Sequence, residues 1–366
     1  MFKILIIVND YSTIFYYRKE LLTRLLDEKY EIIIASPYHE TLDFFINMGV
    51  KVYDTKLVGR SVNPFEGFRL IRQYKHIMKL EKPDLVLTFT IKPNIYGGIA
   101  SKRLKIPYFA NITGLGTAIG KKGLLQVITK VMYKEAFKKI DVVFFQNEDN
   151  KNFFEKYKLS KGKHILIPGS GVNLNRFVFK ELPDDNVIKF IFVSRLMKLK
   201  GIDYYLSSAE TFKKLYGDKV EFHICGLMDK EYENIIKTLS DKKIIIYHGL
   251  VNNIEKIIEK IHVIIHPTFY PEGMSNVLLE SAATGRAIIT TNRSGTKEIV
   301  DDGINGYLIE AENQIQLNEA IQRYIDLPLE EKKKMGLFGR KKVENNFNRQ
   351  IVIDAYLKEI NRVLKK

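Results

Sequence analysis

Residues 188–201 read IKFIFVSRLMKLKG, a short apolar run followed by a basic loop in which Arg195 and Lys200 stand five apart. A strand that is apolar on both faces belongs in a parallel sheet covered by helices. The same pattern recurs along the chain. KILIIV, EIIIAS, VKVYDT, DLVLTF, PYFANI, VVFFQN and HILIPG read as strands in the first half, with helical stretches near 14–28, 66–81, 94–104, 124–139 and 148–157. VIKFIFVS, KVEFHICG, IIIYHG, VIIHP, AIITT and GYLIE continue it in the second half. Near Phe179–Asn186 the rhythm gives way to KELPDDN, a polar stretch suited to a linker. The expectation is two doubly wound, Rossmann-like parallel-sheet α/β domains, 1–182 and 183–348, facing each other across a cleft. Residues 349–366 carry a terminal helix able to pack on either. A chain of 366 residues is long enough for two cores.

Composition narrows the class. Hydrophobic residues make up 45% and charged residues 28%, as in globular rather than disordered proteins. The single cysteine, Cys225, forms no disulfide framework, and the seven histidines have no zinc spacing. His262 and His266 lie on a strand entering a loop, not on a helical metal-binding face. The N-terminal MFKILIIVND is too short an apolar run for a signal peptide or a membrane span, so a cytoplasmic protein with only peripheral membrane contact is expected. The charge is lopsided. Residues 1–180 hold 30 basic and 16 acidic side chains, a net +14, whereas the remainder holds 28 and 27, a net +1. Such an excess favours a polyanionic partner: nucleic acid, anionic lipid or a phosphorylated acceptor.

In open α/β sheets ligands bind beyond the carboxyl ends of the strands. That directs attention to Asn9–Ser12, Thr88–Asn94, Asn111–Gly116, Ser194–Lys200, Gly226, Gly249–Val251 and Pro267–Asn276. Arg195 and Lys200, a planar fork and a point charge, suit the oxygens of a diphosphate. The stretch HPTFYPEGMSNVLLESAATG is the second feature. After a strand ending at His266-Pro267, a turn carries Glu272 and Gly273, and a helix follows from Asn276 with Ser275 as its N-cap. The amides of Gly273, Met274, Ser275 and Asn276 are expected to form an anion site, aided by the helix dipole. Glu280 is one turn into the helix, where a carboxylate suits a ribose diol. Glu272 sits in the loop, facing the reacting group. Gly114, Gly116 and Gly120 in NITGLGTAIGKKG give G-x-G-x-x-x-G, which is not the dinucleotide spacing. They read as a glycine loop at the mouth of the first domain.

These residues resemble glycosyltransferase family 4, retaining enzymes of the GT-B fold. The family's E-x7-E stands here as EGMSNVLLE, Glu272 to Glu280. It is followed by AATGRAIITT and a Gly295–Tyr307 tail of the family's kind, and preceded by the R-x4-K pair. The resemblance implies that Arg195 and Lys200 hold the donor diphosphate and that Glu280 contacts the ribose. Leu250 and Val251 would lie against the base, and Glu272 with Gly273–Ser275 would face the donor sugar and phosphate. It also implies no metal or other cofactor. TFTIKPNIYG and NITGLG resemble the subgroup that builds bacterial capsule, O-antigen and lipid-linked oligosaccharides. The implied partners are a UDP-sugar, UDP-GalNAc favoured, and an undecaprenyl-diphosphate-linked saccharide. The basic first domain would then lie on the anionic inner face of the plasma membrane. Two departures stand out. The Gly-Gly turn after the first strand is replaced by Asn9-Asp10-Tyr11-Ser12, and the family's first-domain histidine is replaced by the region of Thr113. Asn9, Ser12, Lys92, Asn94, Thr113 and Gly114 are the remaining candidates on the acceptor side.

Two rival functions fit parts of this pattern. A UDP-N-acetylhexosamine 2-epimerase shares the architecture, but the E-x7-E stretch speaks against it. A basic nucleic-acid-binding protein would suit the pI of about 9.4, yet no RNP-like, helix-turn-helix or zinc pattern appears.

Overall fold

The structure is a computed structural model and describes residues 1–55, 64–116 and 123–365. Its chain groups into two compact units. The first comprises Met1–Ser170, Pro271–Met274 and Gln350–Lys366, and the second Gly171–Tyr270 and Ser275–Arg349.

Unit one is built on seven strands: β1 (Lys3–Ile7), β2 (Glu31–Ser36), β3 (Lys51–Asp54), β4 (Leu85–Phe89), β5 (Tyr108–Ile112), β6 (Val142–Phe145) and β7 (Lys163–Leu166). All pairings are parallel, in the order β3-β2-β1-β4-β5-β6-β7. Its helices are α1 (Tyr11–Tyr17), α2 (Lys19–Asp27), α3 (Asp43–Ile46), α4 (Pro64–Glu81), α5 (Gly98–Leu104), α6 (Leu124–Ala136) and α7 (Glu148–Lys156). The continuous apolar runs arise because every residue of β4, β5 and β6 is buried. The stretch expected as one helix over 14–28 is two. The chain bends at Arg18 (φ −130°), whose buried guanidinium lies 5.0 Å above the Phe89 ring.

Unit two repeats the plan with β8 (Ile188–Val193), β9 (Val220–Cys225), β10 (Ile246–Tyr247), β11 (Val263–His266), β12 (Ala287–Thr291) and β13 (Gly306–Ile309). They run parallel in the order β10-β9-β8-β11-β12-β13. Its helices are α8 (Ile202–Tyr216), α9 (Glu233–Asp241), α10 (Glu255–Ile258), α11 (Asn276–Ala283), α12 (Gln314–Asp326) and α13 (Leu329–Asn346). The break between units falls at Ser170/Gly171 rather than in KELPDDN. Residues 172–181 are already tied to unit two: Val172 N–H bonds to Phe347 O, Lys180 N–H to Thr284 O, and Arg286 Nη2 to Glu181 O at 3.0 Å.

The last helix, α14 (Arg349–Leu364), covers one face of the first sheet. Val352, Ile353, Tyr356, Leu357 and Ile360 join the cluster that holds Ile4, Ile6 and Ile32. Tyr30 Oη also donates to Asn361 Oδ1 at 2.6 Å. Among the described residues no helix is long and apolar enough to cross a membrane.

Each sheet has one place where the winding reverses, between β1 and β4 in the first and between β8 and β11 in the second. In folds of this kind, ligands usually lie beyond the carboxyl ends of the strands at such a reversal.

Candidate functional site

In unit two the two loops at the reversal are the ones singled out from the sequence. The loop after β8 carries Arg195 and ends in a tight 3₁₀ turn, Lys198–Lys200. Gly201 follows with φ +79°, and a Cβ there would overlap the Pro267 carbonyl of the loop after β11. The two loops are stitched together, since Phe269 N–H donates to Leu199 O at 2.9 Å. Lys200 Nζ lies 4.9 Å from the Tyr270 ring centre, a cation–π contact that holds the ammonium by the loop after β11.

Arg195 is 45% exposed and forms a forked pair with Asp229, Nε and Nη2 reaching the same oxygen at 2.9 and 2.7 Å. Asp229 stands on the loop after β9, which is pinned to the Arg195 loop by Leu196 N–H to Leu227 O and Asp229 N–H to Leu196 O. No local pattern marks Asp229 as this partner. Only its place just beyond a strand end, after Gly226, marked the loop.

Helix α11 begins where expected, with Ser275 at the N-cap. One detail is corrected. The Ser275 N–H donates to Gly295 O at 2.8 Å, so it ties the turn to the loop after β12 and is not available to an anion. The first bond within the helix runs from Leu279 N–H to Ser275 O, so the amides of Asn276, Val277 and Leu278 lie in the first turn, ahead of it. Asn276 Oδ1 is buried and, among the described residues, has no hydrogen-bond partner. Glu280 is pushed up to about 7 by burial, against the pull of Arg176 and Arg349, with Glu255 adding to the rise. Arg176 is fixed by Glu255 Oε2 at 2.9 Å and by Asn252 O at 3.3 Å, and Arg349 by Gly171 O at 3.2 Å. Nothing local in the sequence marks these two arginines, because they reach Glu280 from distant segments. Leu250, on the same stretch as Asn252, is 66% exposed.

His262 is structural. Its Nδ1 accepts from Lys189 N–H at 3.1 Å, and burial lowers its pKa to about 4. Among the described residues no three His, Cys, Asp or Glu side chains gather to hold a metal ion.

In unit one the reversal brings Asn9 and Thr90 together, Thr90 Oγ1 donating to Asn9 Oδ1 at 2.7 Å. Thr90 has φ +72°, a rare conformation for a β-branched residue, of the kind that clusters at functional sites. The Asn9–Ser12 segment has no glycine turn because Asp10 caps α1, accepting from Ser12 N–H at 2.7 Å. Lys92 lies beside Glu66 at 3.9 Å. Asn94 is a second correction. It is 1% exposed, accepts from Thr88 Oγ1 and donates to Asn111 O, both at 2.8 Å, so it braces β4 against β5 instead of facing a ligand.

The Pro271–Met274 turn packs on this unit. Gly273 touches the Thr113 carbonyl so closely that no Cβ would fit, and Gly114 (φ +131°) packs against Pro271 and Gly273. Asn147 Nδ2 donates to Glu272 O at 3.1 Å and Gly273 O at 2.5 Å. Glu272 thus rides on a clamped backbone. Gly120 of the glycine loop lies outside the described residues.

Comparison with known proteins defines the class. A model described as glycosyl transferases group 1 matches residues 175–342, and one described as glycosyl transferase 4-like matches residues 3–147. The chain is a glycosyltransferase of the GT-B fold, with a 4-like half followed by a group 1 half. It is 25% identical over 372 residues to the N,N'-diacetylbacillosaminyl-diphospho-undecaprenol alpha-1,3-N-acetylgalactosaminyltransferase of Campylobacter jejuni, covering 97% of each chain. It is also 25% identical over 345 residues to the UDP-Gal:alpha-D-GlcNAc-diphosphoundecaprenol alpha-1,3-galactosyltransferase of Escherichia coli, covering 88% of this chain and 87% of that one. Among solved structures, a glycosyltransferase from Rickettsia africae superposes with a TM-score of 0.79 at 20% identity, over 100% of this chain and 99% of the other. Anabaena HepE, crystallised with UDP and glucose, gives 0.76 at 15% identity, over 98% and 99%.

Proposed function

We propose that the chain is a retaining transferase that moves a hexose or N-acetylhexosamine from a UDP-sugar to an undecaprenyl-diphosphate-linked saccharide in bacterial surface-glycan assembly. UDP-GalNAc is the favoured donor. The observation that carries the reading is the position of Arg195 and Lys200, on the loop at the winding reversal of unit two, beside the loop that leads into α11. Two cations and the first-turn amides of a helix match a diphosphate. The names of the Campylobacter and Escherichia relatives, both diphospho-undecaprenol transferases, support the acceptor class. So does the net +14 of residues 1–180.

In this mechanism the bond from the sugar's anomeric carbon to the β-phosphate oxygen breaks, and negative charge grows on the departing UDP. Arg195, Lys200 and the α11 amides stabilise that charge, usually the largest catalytic contribution. The acceptor hydroxyl bonds to the anomeric carbon on the same face, and its proton passes to the leaving phosphate oxygen. Glu280 accepts the ribose hydroxyls, Leu250 and Val251 flank the base, and Glu272 with Gly273 and Met274 positions the sugar. The side-chain cations serve in place of a metal ion. The enzyme works from the cytoplasmic face, peripheral to the membrane.

A UDP-release screen over UDP-GlcNAc, UDP-GalNAc, UDP-Glc, UDP-Gal and UDP-GalA, with and without a polyprenyl-diphosphate sugar, tests this. Acceptor-dependent release with an α-linked product is expected. A UDP-HexNAc interconverted without acceptor, or release unaffected by Arg195→Ala, overturns it.

A further inference from the structure

Helix α6 is unusual in where its apolar side chains point. Thr129, Tyr133 and Ala136 face inward, Tyr133 and Ala136 packing with Phe137 and Phe154 in the core between the sheet and its helices. On the outside, Leu124, Leu125, Val127, Ile128 and Val131 are exposed by 77, 46, 51, 45 and 63%. At a helical turn of roughly 100° per residue, Leu124, Val127, Ile128 and Val131 fall within an arc of about 100°. The same stripe runs on into Lys134 and Lys138, both exposed. One end of the outward face is therefore apolar and the other cationic.

The surroundings have the same sign. Helix α5 packs against both α4 and α6, so the three lie on one side of the first sheet. From α4, Phe68 is 70% exposed, and Arg69, Arg72 and Lys79 are exposed beside it. Arg103 and Lys105 add to them at the end of α5. The acids on this side are already matched: Glu135 by Lys102 and by Lys138 at 3.1 Å, and Glu66 by Lys92 at 3.9 Å.

We propose that the outer face of α6, with the basic residues of α4 and α5 around it, is the surface by which this protein docks on an anionic lipid bilayer. Leu124, Val127, Ile128 and Val131 enter the interface while the lysines and arginines meet the headgroups. An apolar end beside a net cationic field is the chemistry of an interfacial helix. A second copy of the chain fits less well, since a symmetric pair would bring like charges face to face. The inference deepens the membrane-held acceptor reading above. Its test uses neither donor nor acceptor, so it stands or fails separately.

The experiment is flotation of the full chain with vesicles of phosphatidylcholine containing phosphatidylglycerol but no polyprenyl lipid. Binding is expected, and it weakens steeply with salt and in pure phosphatidylcholine. Replacing Leu124, Val127, Ile128 and Val131 together by Gln lowers binding by about tenfold or more. Lys134→Glu with Lys138→Glu weakens it only on anionic vesicles. These positions are exposed, so the melting profile and UDP affinity stay unchanged. Failure of the wild type to float, unchanged flotation of the Gln variant, or a Gln variant that changes only the oligomeric state overturns the proposal.

Discussion

Arg195 gives both its Nε and its Nη2 to a single oxygen of Asp229, at 2.9 and 2.7 Å, so the guanidinium expected to meet a diphosphate is already oriented by an acid on the neighbouring loop. The pair is solvent-accessible, and such pairs contribute only about 0–1 kcal/mol. A diphosphate therefore competes with Asp229 at little cost. Arg195→Ala is expected to lower turnover by about 10²–10³, the loss typical of one transition-state donor. Asp229→Asn is expected to tighten UDP binding by up to about fivefold, the equivalent of that pair energy. Calorimetric titration with UDP checks the second expectation, and weaker binding by the Asn variant would mean that Asp229 serves the site by orientation alone.

Glu280 supplies a pH signature. Its pKa stands at about 7 instead of the ordinary 4.5, because burial disfavours the carboxylate more than Arg176 and Arg349 favour it. The fold thus prefers the protonated form. Its contribution to the stability of the unliganded protein is complete below about 4.5 and is lost as pH rises through about 7. UDP binding runs the other way if the ribose hydroxyls donate to the carboxylate. Halving to near-tenth occupancy of the ionised form makes affinity fall about fivefold from pH 7 to pH 6. Glu280→Gln should flatten both profiles, and a binding profile for that variant parallel to the wild type's would assign the titration to another group.

The strands were legible because a parallel sheet buried on both faces writes itself as uninterrupted apolar runs, and β4, β5 and β6 are buried at every position. The Arg195–Lys200 loop was legible because strand ends at a winding reversal are where chemistry gathers. What could not be read were bonds between distant segments. Asp229 holds Arg195 across two loops, Gly295 takes the Ser275 amide, and Asn94 spends its side chain on Thr88 and Asn111. The helix expected over 14–28 breaks at Arg18 because its guanidinium is drawn inward over Phe89. None of these leaves a periodic trace, since each depends on where remote chain segments meet.

Asn147 performs two tasks that a pair of substitutions separates. Its Oδ1 caps α7 by accepting from Asn150 N–H at 2.9 Å, while its Nδ2 holds the carbonyls of Glu272 and Gly273. Asn147→Ala removes both, and losing the cap alone costs about 1 kcal/mol. Asn147→Asp keeps the cap acceptor but replaces the donor with an oxygen facing two carbonyls. The Asp variant is therefore expected to show the greater fall in kcat for the smaller loss in cap stability. Thermal melts beside steady-state kinetics decide it. If kcat in both variants merely follows the melting temperature, the clamp on Glu272 has no catalytic consequence.

Gly201 is the position where backbone and chemistry meet most tightly. It closes the 3₁₀ turn that ends at Lys200, opens α8, and sits at φ +79° against the Pro267 carbonyl. Alanine there meets two penalties. A residue with a Cβ pays about 1–2 kcal/mol for the left-handed conformation, and the overlap is with backbone, which cannot rotate aside. Relief requires the loops after β8 and β11 to separate, moving Lys200 away from Tyr270. Gly201→Ala is expected to destabilise unit two by about 2 kcal/mol or more, lowering the melting temperature by about 4–8 °C. UDP affinity should fall with it. Lys200→Met is the control: it removes the charge without straining the turn, so UDP affinity falls while the melting temperature holds. Equal melting losses in the two variants would place the strain in the Lys200 side chain instead of the glycine backbone.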